Sequence, residues 1–276
     1  MRAAKIESFC LRAVVYIAAA LTVGALISLV AYILVKGIPN LSFSLFSFTY
    51  NSENVSLFPA LVNTITMTAL SLLLAVPLGI FSAIYLVEYA GRGNKLVLLV
   101  RITAETLSGI PSIVYGLFGF LLFVTTLGWG YSLLAGAFTL AIMILPVIMR
   151  TTEEALRSVP DNYREGSFGL GAGKLRTVFR IVLPAAVPGI LAGVVLSVGR
   201  IVGETAALIY TAGTVAQIPS TVIASGRTLS VHMYALWSEG LNTGPSYATA
   251  VVLLVIVIGL NALSASIAKR LVKTGG

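Results

Sequence analysis

The chain has 276 residues, of which 58% are hydrophobic and only 10% are charged, and its mean hydropathy is +0.99. This composition excludes an ordinary soluble domain, whose surface carries a larger share of charged residues, and it is typical of a membrane protein. The formal net charge of +8 would also fit a nucleic-acid-binding protein, so the positions of the basic residues have to decide between the two.

Six apolar segments are long enough to cross about 30 Å of hydrocarbon, which takes about 20 helical residues. The predicted spans are 13–35, 58–87, 98–124, 131–149, 184–212 and 247–268. The first span has a basic N-terminal flank like that of a signal peptide, but it lacks a convincing small-residue cleavage site, so we expect it to be retained. The sequence therefore predicts an all-α integral membrane protein with six transmembrane helices.

The basic residues lie almost entirely on one side of these spans. The positive-inside rule places that side, and with it both termini, in the cytosol. The positive charge therefore indicates how the chain is oriented in the membrane. We expect membrane lipid around the chain and no nucleic-acid partner. Of the 18 Lys and Arg residues, the fifteen assigned to the cytosolic side are Arg2, Lys5, Arg12, Arg92, Lys95, Arg101, Arg150, Arg157, Arg164, Lys174, Arg176, Arg180, Lys269, Arg270 and Lys273.

The spans divide the chain into three parts. Residues 1–57 contain the first span and an outer loop, residues 58–271 form a core of five spans, and residues 272–276 form a cytosolic tail. Within the core, the connection at 150–183 is the longest cytosolic segment and the most polar. The outer segments at about 36–57 and 213–246 could offer a surface to an external partner.

Two similar phrases, RITAET at 101–106 and RIVGET at 200–205, place charged residues inside apolar spans. Each begins a polar stripe with helical spacing. Such a stripe must face protein or water, because a central Arg in hydrocarbon costs about 2.5–3.5 kcal/mol even on the lenient insertion scale. The stripes are Arg101, Glu105, Ser108, Ser112 and Tyr115 on the third span, and Ser197, Arg200, Glu204, Ala207 and Thr211 on the fifth.

The stripes have two interpretations. Each Arg and Glu could simply neutralise each other within one helix, although Arg before Glu is the less favourable order for that. Alternatively, the guanidinium could bind an anion, for which its forked donors are suited. Arg200 is the stronger candidate because it lies about 24 Å along a helix beyond Pro184, and Glu204 could hold it between substrates. The predicted substrate pathway consists of Arg200, Glu204, Arg101, Glu105, Ser108, Ser112 and Thr211.

Gly109, Pro111 and Ser112 could break the third span and aim free backbone amides at an anion, as discontinuous helices do in some transporters. Ordinary packing or a kink is the other interpretation of these residues. The single cysteine, Cys10, and the single histidine, His232, form no metal-ligand cluster in the sequence. We therefore expect no metal site, and we expect His232 to be a loop or docking residue.

The cytosolic connection contains a specific spacing. Glu165, Gly166 and Ser167 are followed after three residues by Gly171, and after nine more by the run from Ile181 to Pro184. On charge alone this segment would be a solvated basic loop. The spacing resembles the Glu-Ala-Ala signature of binding-protein-dependent ABC importer permeases. Gly and Ser at 166 and 167 replace the usual alanines, which keeps the residues small but lowers helix propensity.

The resemblance implies a type I ABC importer permease architecture in which the signature segment forms a short coupling helix, here at about 162–170, that docks on an ATPase subunit. Small residues would let the partner backbone approach closely, and Gly171 would end the helix. The residues carried over to this role are Asn162, Tyr163, Arg164, Glu165, Gly166, Ser167, Phe168, Gly169, Leu170 and Gly171.

The run GLGAGKL at 169–175 is not a phosphate-binding P-loop. That motif would need glycine in place of Phe168 and Ser or Thr in place of Leu175. We therefore expect this chain to be no enzyme and to hold no cofactor, with ATP and Mg²⁺ bound by the partner ATPase subunit.

Two longer stretches, ETLSGIPSIVYGLFG at 105–119 and GRIVGETAALIYTAG at 199–213, resemble the phosphate permeases, and the run ETAAL at 204–208 resembles their A-type subunit. The resemblance implies a complex in the bacterial cytoplasmic membrane that imports inorganic phosphate by alternating access. Its other members would be a C-type permease subunit, an ATPase dimer and an extracytoplasmic phosphate-binding protein.

Three alternatives remain open at the level of sequence. A permease for another oxyanion, such as molybdate or sulfate, would share the same signature. A self-contained secondary transporter or channel would also have buried charges but would not need that signature. A membrane enzyme is disfavoured because the chain has no H-E-x-x-H, cysteine pair or G-x-S-x-G motif.

Overall fold

A computed structural model describes residues 2–91 and 93–274, and these residues form helices and connecting turns with no strand among them. The predicted all-α fold class is confirmed. Arg92 and the end of the predicted tail 272–276 lie outside the described residues. The helices are α1 Arg2–Gly37, α2 Phe58–Ile84, α3 Lys95–Ser108, α4 Ser112–Gly119, α5 Leu133–Ser158, α6 Asp161–Gly169, α7 Lys174–Thr177, α8 Leu183–Gly203, α9 Ala206–Thr211, α10 Leu229–Glu239 and α11 Thr243–Thr274.

Three π-helical turns extend or connect these helices. They are Tyr85–Tyr89 after α2, Phe120–Thr126 after α4 and Val178–Val182 before α8. In the described residues, five helical stretches are long and apolar enough to span a membrane, and a sixth span forms if α3 and α4 count as one. The five are Leu11–Asn40, Phe58–Tyr89, Leu133–Ser158, Lys174–Gly203 and Thr243–Leu263.

The third span is bent. α3 and the helical stretch that begins with α4 meet at an angle of 102°, with Gly109, Ile110 and Pro111 between them. Pro111 has no N–H with which to continue the hydrogen bonding of α3, and it restricts Ile110 to extended conformations. The prediction of one continuous helical stripe from Arg101 to Tyr115 is therefore wrong, and the alternative prediction of a break at Gly109–Ser112 is confirmed.

The bent pair nevertheless crosses the bundle. Arg101 on α3 contacts Glu153 near the end of α5, whereas Phe123, after α4, packs its ring 5.6 Å from the ring of Phe138 near the beginning of α5. These two points are separated by about 15 residues of α5, or roughly 22 Å. The pair follows α5 over most of its length, so we count it as the third of six spans.

The fifth span is also broken. α8 ends at Gly203, and Glu204 has an extended backbone with φ −73° and ψ 127° before α9 begins at Ala206. The predicted single helix over 184–212 is therefore wrong. The break is stabilised from outside the span, because the Ser230 hydroxyl donates to the Glu204 carbonyl.

α5 lies at the centre of the bundle. Within its most apolar stretch 67% of the residues are buried, against 0% for the first span, which lies at the periphery. α2 and α8 pack on α5 and bury residues such as Met67, Leu140 and Ile148. Close packing needs small residues: a Cβ on Gly193 of α8 would collide with Thr151 of α5.

The segments predicted to lie on the outer side are folded. The segment 213–246 contains α10, and His232 on that helix is completely buried, so the prediction of a loop or docking histidine is wrong. The Arg227 guanidinium stacks over the Tyr50 ring at 4.8 Å, and the His232 ring lies edge-on to the same ring at 6.1 Å. Burial, and then the charge of Arg227, lower the pKa of His232 from 6.5 to about 3.

Candidate functional site

Arg200 is the unpaired cation of the site. It lies in the last turn of α8 and is half-buried. No ion pair among the described residues includes it, and its charge acts on the hydroxyl of Tyr115 on α4. Because a guanidinium carries five N–H donors in a planar fork, Arg200 can offer paired donors to an oxyanion.

Glu204 does not hold Arg200. The helix ends between the two residues, so Glu204 leaves the position one turn after Arg200 that a continuous helix would give it. Its Oε1 instead accepts a hydrogen bond from the backbone N–H of Ala207 at 3.1 Å and so caps α9. The predicted pairing of Arg200 with Glu204 is wrong, and the buried carboxylate of Glu204 stabilises the break in the span.

The depth of Arg200 follows from how α8 packs on α5. Gly189 of α8 faces Ala155, and Gly193 faces Thr151, so the two helices run antiparallel. Extending that register places Arg200 near the level of Ile144, in the apolar middle of α5. Glu153, the partner of Arg101, lies about 14 Å further along α5 at 1.5 Å per residue. The two arginines therefore lie at different depths, with Arg101 nearer the predicted cytosolic end.

Arg101 belongs to an ion-pair network between α3 and α5. Its Nε lies 2.8 Å from Oε1 of Glu153, and the same oxygen lies 2.7 Å from Nη2 of Arg157. The interpretation in which Arg101 pairs with Glu105 is therefore wrong. The Glu153 side chain is only 10% exposed, and a buried carboxylate between two guanidinium groups keeps all three side chains in place. The charge of Arg101 is therefore compensated by Glu153 in this conformation.

The remaining pathway residues separate into exposed and buried groups. Glu105 is exposed, 3.8 Å from Nη1 of Arg150. The Ser108 hydroxyl donates to the Glu105 carbonyl at 2.7 Å, and Ser112 is the first residue of α4. Thr211 is fully buried and donates to the carbonyl of Ala207, four residues earlier, at 2.8 Å. The structure brings Glu105 and Ser108 together on α3 but leaves Thr211 without a free hydroxyl proton.

The two broken spans meet just after their breaks. A Cβ on Gly116 of α4 would collide with the backbone of Ala206 and Ala207 on α9. The two half-helices therefore pack backbone against backbone, with Arg200 at the end of the preceding helix. Helix N-termini carry partial positive charge, and discontinuous membrane helices present such ends to anionic groups in some transporters. The start of α9 is already capped by the Glu204 carboxylate, so Arg200 and the start of α4 are the groups that favour a negative ligand.

Sequence reasoning missed Glu153 and Glu88. Glu153 precedes Arg157 by four residues, which is the favourable order for a helical ion pair, and this local signal could have indicated it. Glu88 pairs with Arg164, 76 residues later. No local sequence pattern indicates a contact between two residues so far apart in the chain.

The predicted coupling segment forms α6, Asp161–Gly169, which is within one residue of the predicted 162–170. Its end has the bonds of a Schellman motif: Ala172 N–H donates to the Ser167 carbonyl at 3.1 Å, and Gly171 N–H to the Phe168 carbonyl at 2.9 Å. Gly171 has φ +83°, which a residue without a side chain adopts easily. The predicted helix stop at Gly171 is confirmed.

One face of α6 is open. Leu170 is 91% exposed, and Tyr163 and Phe168 are exposed as well. A Cβ on Gly166 would meet no atom within 4 Å, so nothing in this chain requires glycine there. Exposed apolar side chains beside an open glycine backbone indicate a surface for a protein partner. The other face points inward, where the hydroxyls of Ser167 and Thr177 are 2.8 Å apart.

Residues 75–273 match the family described as binding-protein-dependent transport system inner membrane component. The chain belongs to this family. It is therefore the membrane component of a transport system, and ATP hydrolysis in such a system resides in a separate subunit.

Several curated proteins are similar to this family member. The probable ABC transporter permease protein YqgI of Bacillus subtilis (strain 168) is 36% identical over 239 residues, covering 81% of each chain. The phosphate transport system permease protein PstA of Mycobacterium leprae (strain TN) is 39% identical over 217 residues, covering 75% of this chain and 68% of that one. PstA 1 of Mycobacterium tuberculosis (strain ATCC 25618 / H37Rv) is 46% identical, but over only 56% of this chain and 49% of its own length.

Solved permeases share the fold. A structure of a bacterial alginate ABC transporter, in complex with a periplasmic protein bound to an alginate pentasaccharide, matches with a TM-score of 0.60 and 21% identity, over 90% of this chain and 95% of that one. The inward-facing MetNI methionine ABC transporter matches with a TM-score of 0.59 and 19% identity, over 88% and 97%. These likenesses support the predicted type I importer architecture.

Proposed function

We propose that this permease is the A-type subunit of an ATP-driven importer of inorganic phosphate in the bacterial cytoplasmic membrane, and that Arg200 contacts the anion inside the membrane. The observation that carries the proposal is the environment of Arg200. A half-buried guanidinium with no carboxylate partner among the described residues matches the fork-like pairing of Arg with phosphate oxygens.

The relatives support phosphate as the substrate. Several of them are named phosphate transport system permease protein PstA, with identities between 38% and 46%. Both polar phrases, with Arg101 and Arg200, lie within residues 75–273 of the family match. The A-type assignment follows these names, and with it we expect a C-type permease subunit beside this chain.

The exposed face of α6 supports coupling to an ATPase. Its apolar side chains and open Gly166 would dock on an ATPase subunit, which would bind ATP and Mg²⁺. On the opposite side of the membrane, the folded outer segments would receive an extracytoplasmic phosphate-binding protein. One of the solved relatives is a transporter in complex with a substrate-bound periplasmic protein, which supports this arrangement of partners.

The mechanism that fits these parts is alternating access. Closure of the ATPase dimer moves α6, and the spans rearrange so that phosphate passes from the binding protein to Arg200. Hydrolysis returns the permease to its inward-facing state. Glu204 contributes by stabilising the break that ends α8 beside Arg200. Because Glu204 is engaged with the backbone of α9, it leaves the guanidinium available to the substrate.

The test uses phosphate-starved cells that lack this chain and have no other phosphate importer. Re-supply of the chain restores uptake of labelled phosphate, and excess sulfate or molybdate does not reduce that uptake. If sulfate or molybdate competes and is itself transported, the protein is a permease for another oxyanion. If uptake persists when ATP is depleted, the protein is a self-contained transporter.

A further inference from the structure

Arg164 on α6 points into the permease and away from the open face of the helix. Its Nε and Nη2 donate to Oε1 of Glu88 at 3.1 and 2.8 Å. Nη2 also donates to the carbonyl of Leu156 at 2.9 Å, and Nη1 donates to the carbonyl of Val159 at 2.8 Å. The coupling role predicted for Arg164 therefore cannot be direct contact with an ATPase in this conformation. The side chain joins α6 to two other parts of the same chain.

Glu88 is the distant member of this contact. It lies in the π-helical turn Tyr85–Tyr89 that ends the second span, and its side chain is only 8% exposed. Asp161, the other carboxylate near Arg164, is 82% exposed and belongs to α6 itself. Of these two ion pairs, the Glu88 pair is the one that connects α6 to the turn at the end of the second span. A second contact supports the connection, because Lys174 Nζ lies 5.1 Å from the centre of the Tyr89 ring, in the same turn.

We propose that Glu88 is a positioning residue which, through Arg164, fixes the coupling helix to the end of the second span, so that displacement of α6 is passed to α2. This inference rests on the proposed function, since it assumes that an ATPase moves α6. A charge-assisted pair with two N–H donors on one carboxylate oxygen is short and directional. Burial shields it from the screening that weakens exposed pairs.

The geometry separates this tether from the folding of α6. Loss of the Glu88 carboxylate leaves the bonds from Arg164 to the Leu156 and Val159 carbonyls, which hold α6 to the end of α5. The Schellman motif and the contact between Ser167 and Thr177 are also untouched. Weakening the tether therefore disconnects α2 from α6 while the coupling helix stays folded and attached to α5.

The experiment reconstitutes the complete transporter in liposomes and measures labelled phosphate imported per ATP hydrolysed. In Glu88→Gln we expect normal assembly and continued ATP hydrolysis. We expect the phosphate-to-ATP ratio to fall at least about fivefold, because coupling between two sites in a protein typically changes affinity by about fivefold or more. Arg164→Lys keeps a cation opposite Glu88 and retains most of the ratio, whereas Arg164→Gln loses it. A merely structural role would lower assembly and hydrolysis together with transport.

Glu154→Gln is the matched control, because it removes the carboxylate of an exposed pair with Arg150, within α5. The proposal is overturned if Glu88→Gln keeps the wild-type ratio or if Glu154→Gln loses as much. If the Glu88→Gln complex does not assemble, the two Arg164 variants decide the question. Equal phosphate-to-ATP ratios in Arg164→Lys and Arg164→Gln then overturn the proposal.

A second readout does not depend on the substrate. We expect faster hydrogen exchange at the amides of Tyr85–Ala90 in the assembled Glu88→Gln complex, and unchanged exchange there overturns the tether. A wild-type complex that hydrolyses ATP but moves no phosphate contradicts the proposed function alone.

Discussion

Arg200 is the residue on which substrate recognition depends most directly. Arg200→Gln removes the charge, and Arg200→Lys keeps the charge but replaces the planar fork by a single ammonium group. A hydrogen bond to a charged group contributes about 1.5–3 kcal/mol, so we expect phosphate uptake to fall about tenfold to 100-fold in Arg200→Lys and further in Arg200→Gln. Uptake of labelled phosphate, normalised to the amount of assembled complex, measures this.

Arg12→Gln is the matched control for Arg200, because Arg12 is an exposed arginine of α1. It removes the same charge outside the site and leaves uptake unchanged. Wild-type uptake in a correctly assembled Arg200→Gln complex contradicts the role of Arg200 in the pathway.

His232 makes stability depend on pH in a defined direction. Burial and Arg227 lower its pKa from 6.5 to about 3, so the folded protein keeps the ring neutral while the unfolded chain protonates it below about 6.5. The stability that depends on the neutral ring is therefore complete above pH 6.5 and is lost as pH falls towards 3. The groups that act on the ring are the Arg227 cation, the Tyr50 ring and the backbone of Val55, whose hydrogen bond raises the pKa without outweighing burial and Arg227.

The measurement is the thermal midpoint of the purified protein between pH 7 and pH 4, for the wild type and for His232→Phe. We expect the midpoint of the wild type to fall more steeply with acidification, because the variant has no proton to gain at this position. Parallel curves for the two proteins mean that the folded protein binds the proton as readily as the unfolded chain does.

The residues that sequence analysis could and could not identify differ in the range of their contacts. Arg200 was found because an arginine in an apolar span is conspicuous whatever surrounds it. Its lack of a carboxylate partner could not be predicted, because Glu204 follows it by four residues and would lie one turn away on a continuous helix. Glu204 leaves that position because α8 ends at Gly203. Glu88 and Glu153 act across helices, so neither role was visible before the helices were packed.

At the scale of single elements, the contact between α5 and α8 depends on the absence of side chains on one face of α8. Gly193 faces Thr151 at a distance that leaves no room for a Cβ, whereas Gly199 on the same helix has no atom within 4 Å of a Cβ. Overpacking costs about 1–3 kcal/mol, so we expect Gly193→Ala to lower the thermal midpoint of the purified protein. Gly199→Ala leaves it unchanged or raises it, since Ala has the higher helix propensity.

The two glycine variants control for each other, because both make the same chemical change on one helix. Equal midpoints in Gly193→Ala and Gly199→Ala contradict the close packing of α8 against α5. A lower midpoint in Gly199→Ala alone contradicts the register that places Gly193 against Thr151.

Two helix breaks show what local sequence can predict about an element. The break at Gly109–Pro111 has a local cause, because proline lacks the donor that a helix needs, and it was predicted as an alternative. The break at Glu204 has no proline. It depends on the Glu204 side chain capping α9 and on Ser230, 26 residues later, donating to the Glu204 carbonyl. The contact between Ser230 and Glu204 forms only when the helices pack together.

At the scale of the whole molecule, hydropathy and charge distribution predicted the fold class and the number of spans, because a membrane imposes length and polarity on each helix. The bend of 102° between α3 and the stretch that begins with α4, and the burial of α5 at the centre, depend on packing and were not predicted. The coupling segment was located to within one residue by the spacing of its signature.

We propose above all that this permease moves inorganic phosphate with energy from ATP. The most direct test is accumulation of labelled phosphate in liposomes that contain this chain, its companion permease subunit and the ATPase, with the phosphate-binding protein on the outer side. We expect accumulation that needs both ATP and the binding protein and that excess sulfate or molybdate does not reduce. Accumulation of labelled sulfate or molybdate, with none of phosphate, would contradict it.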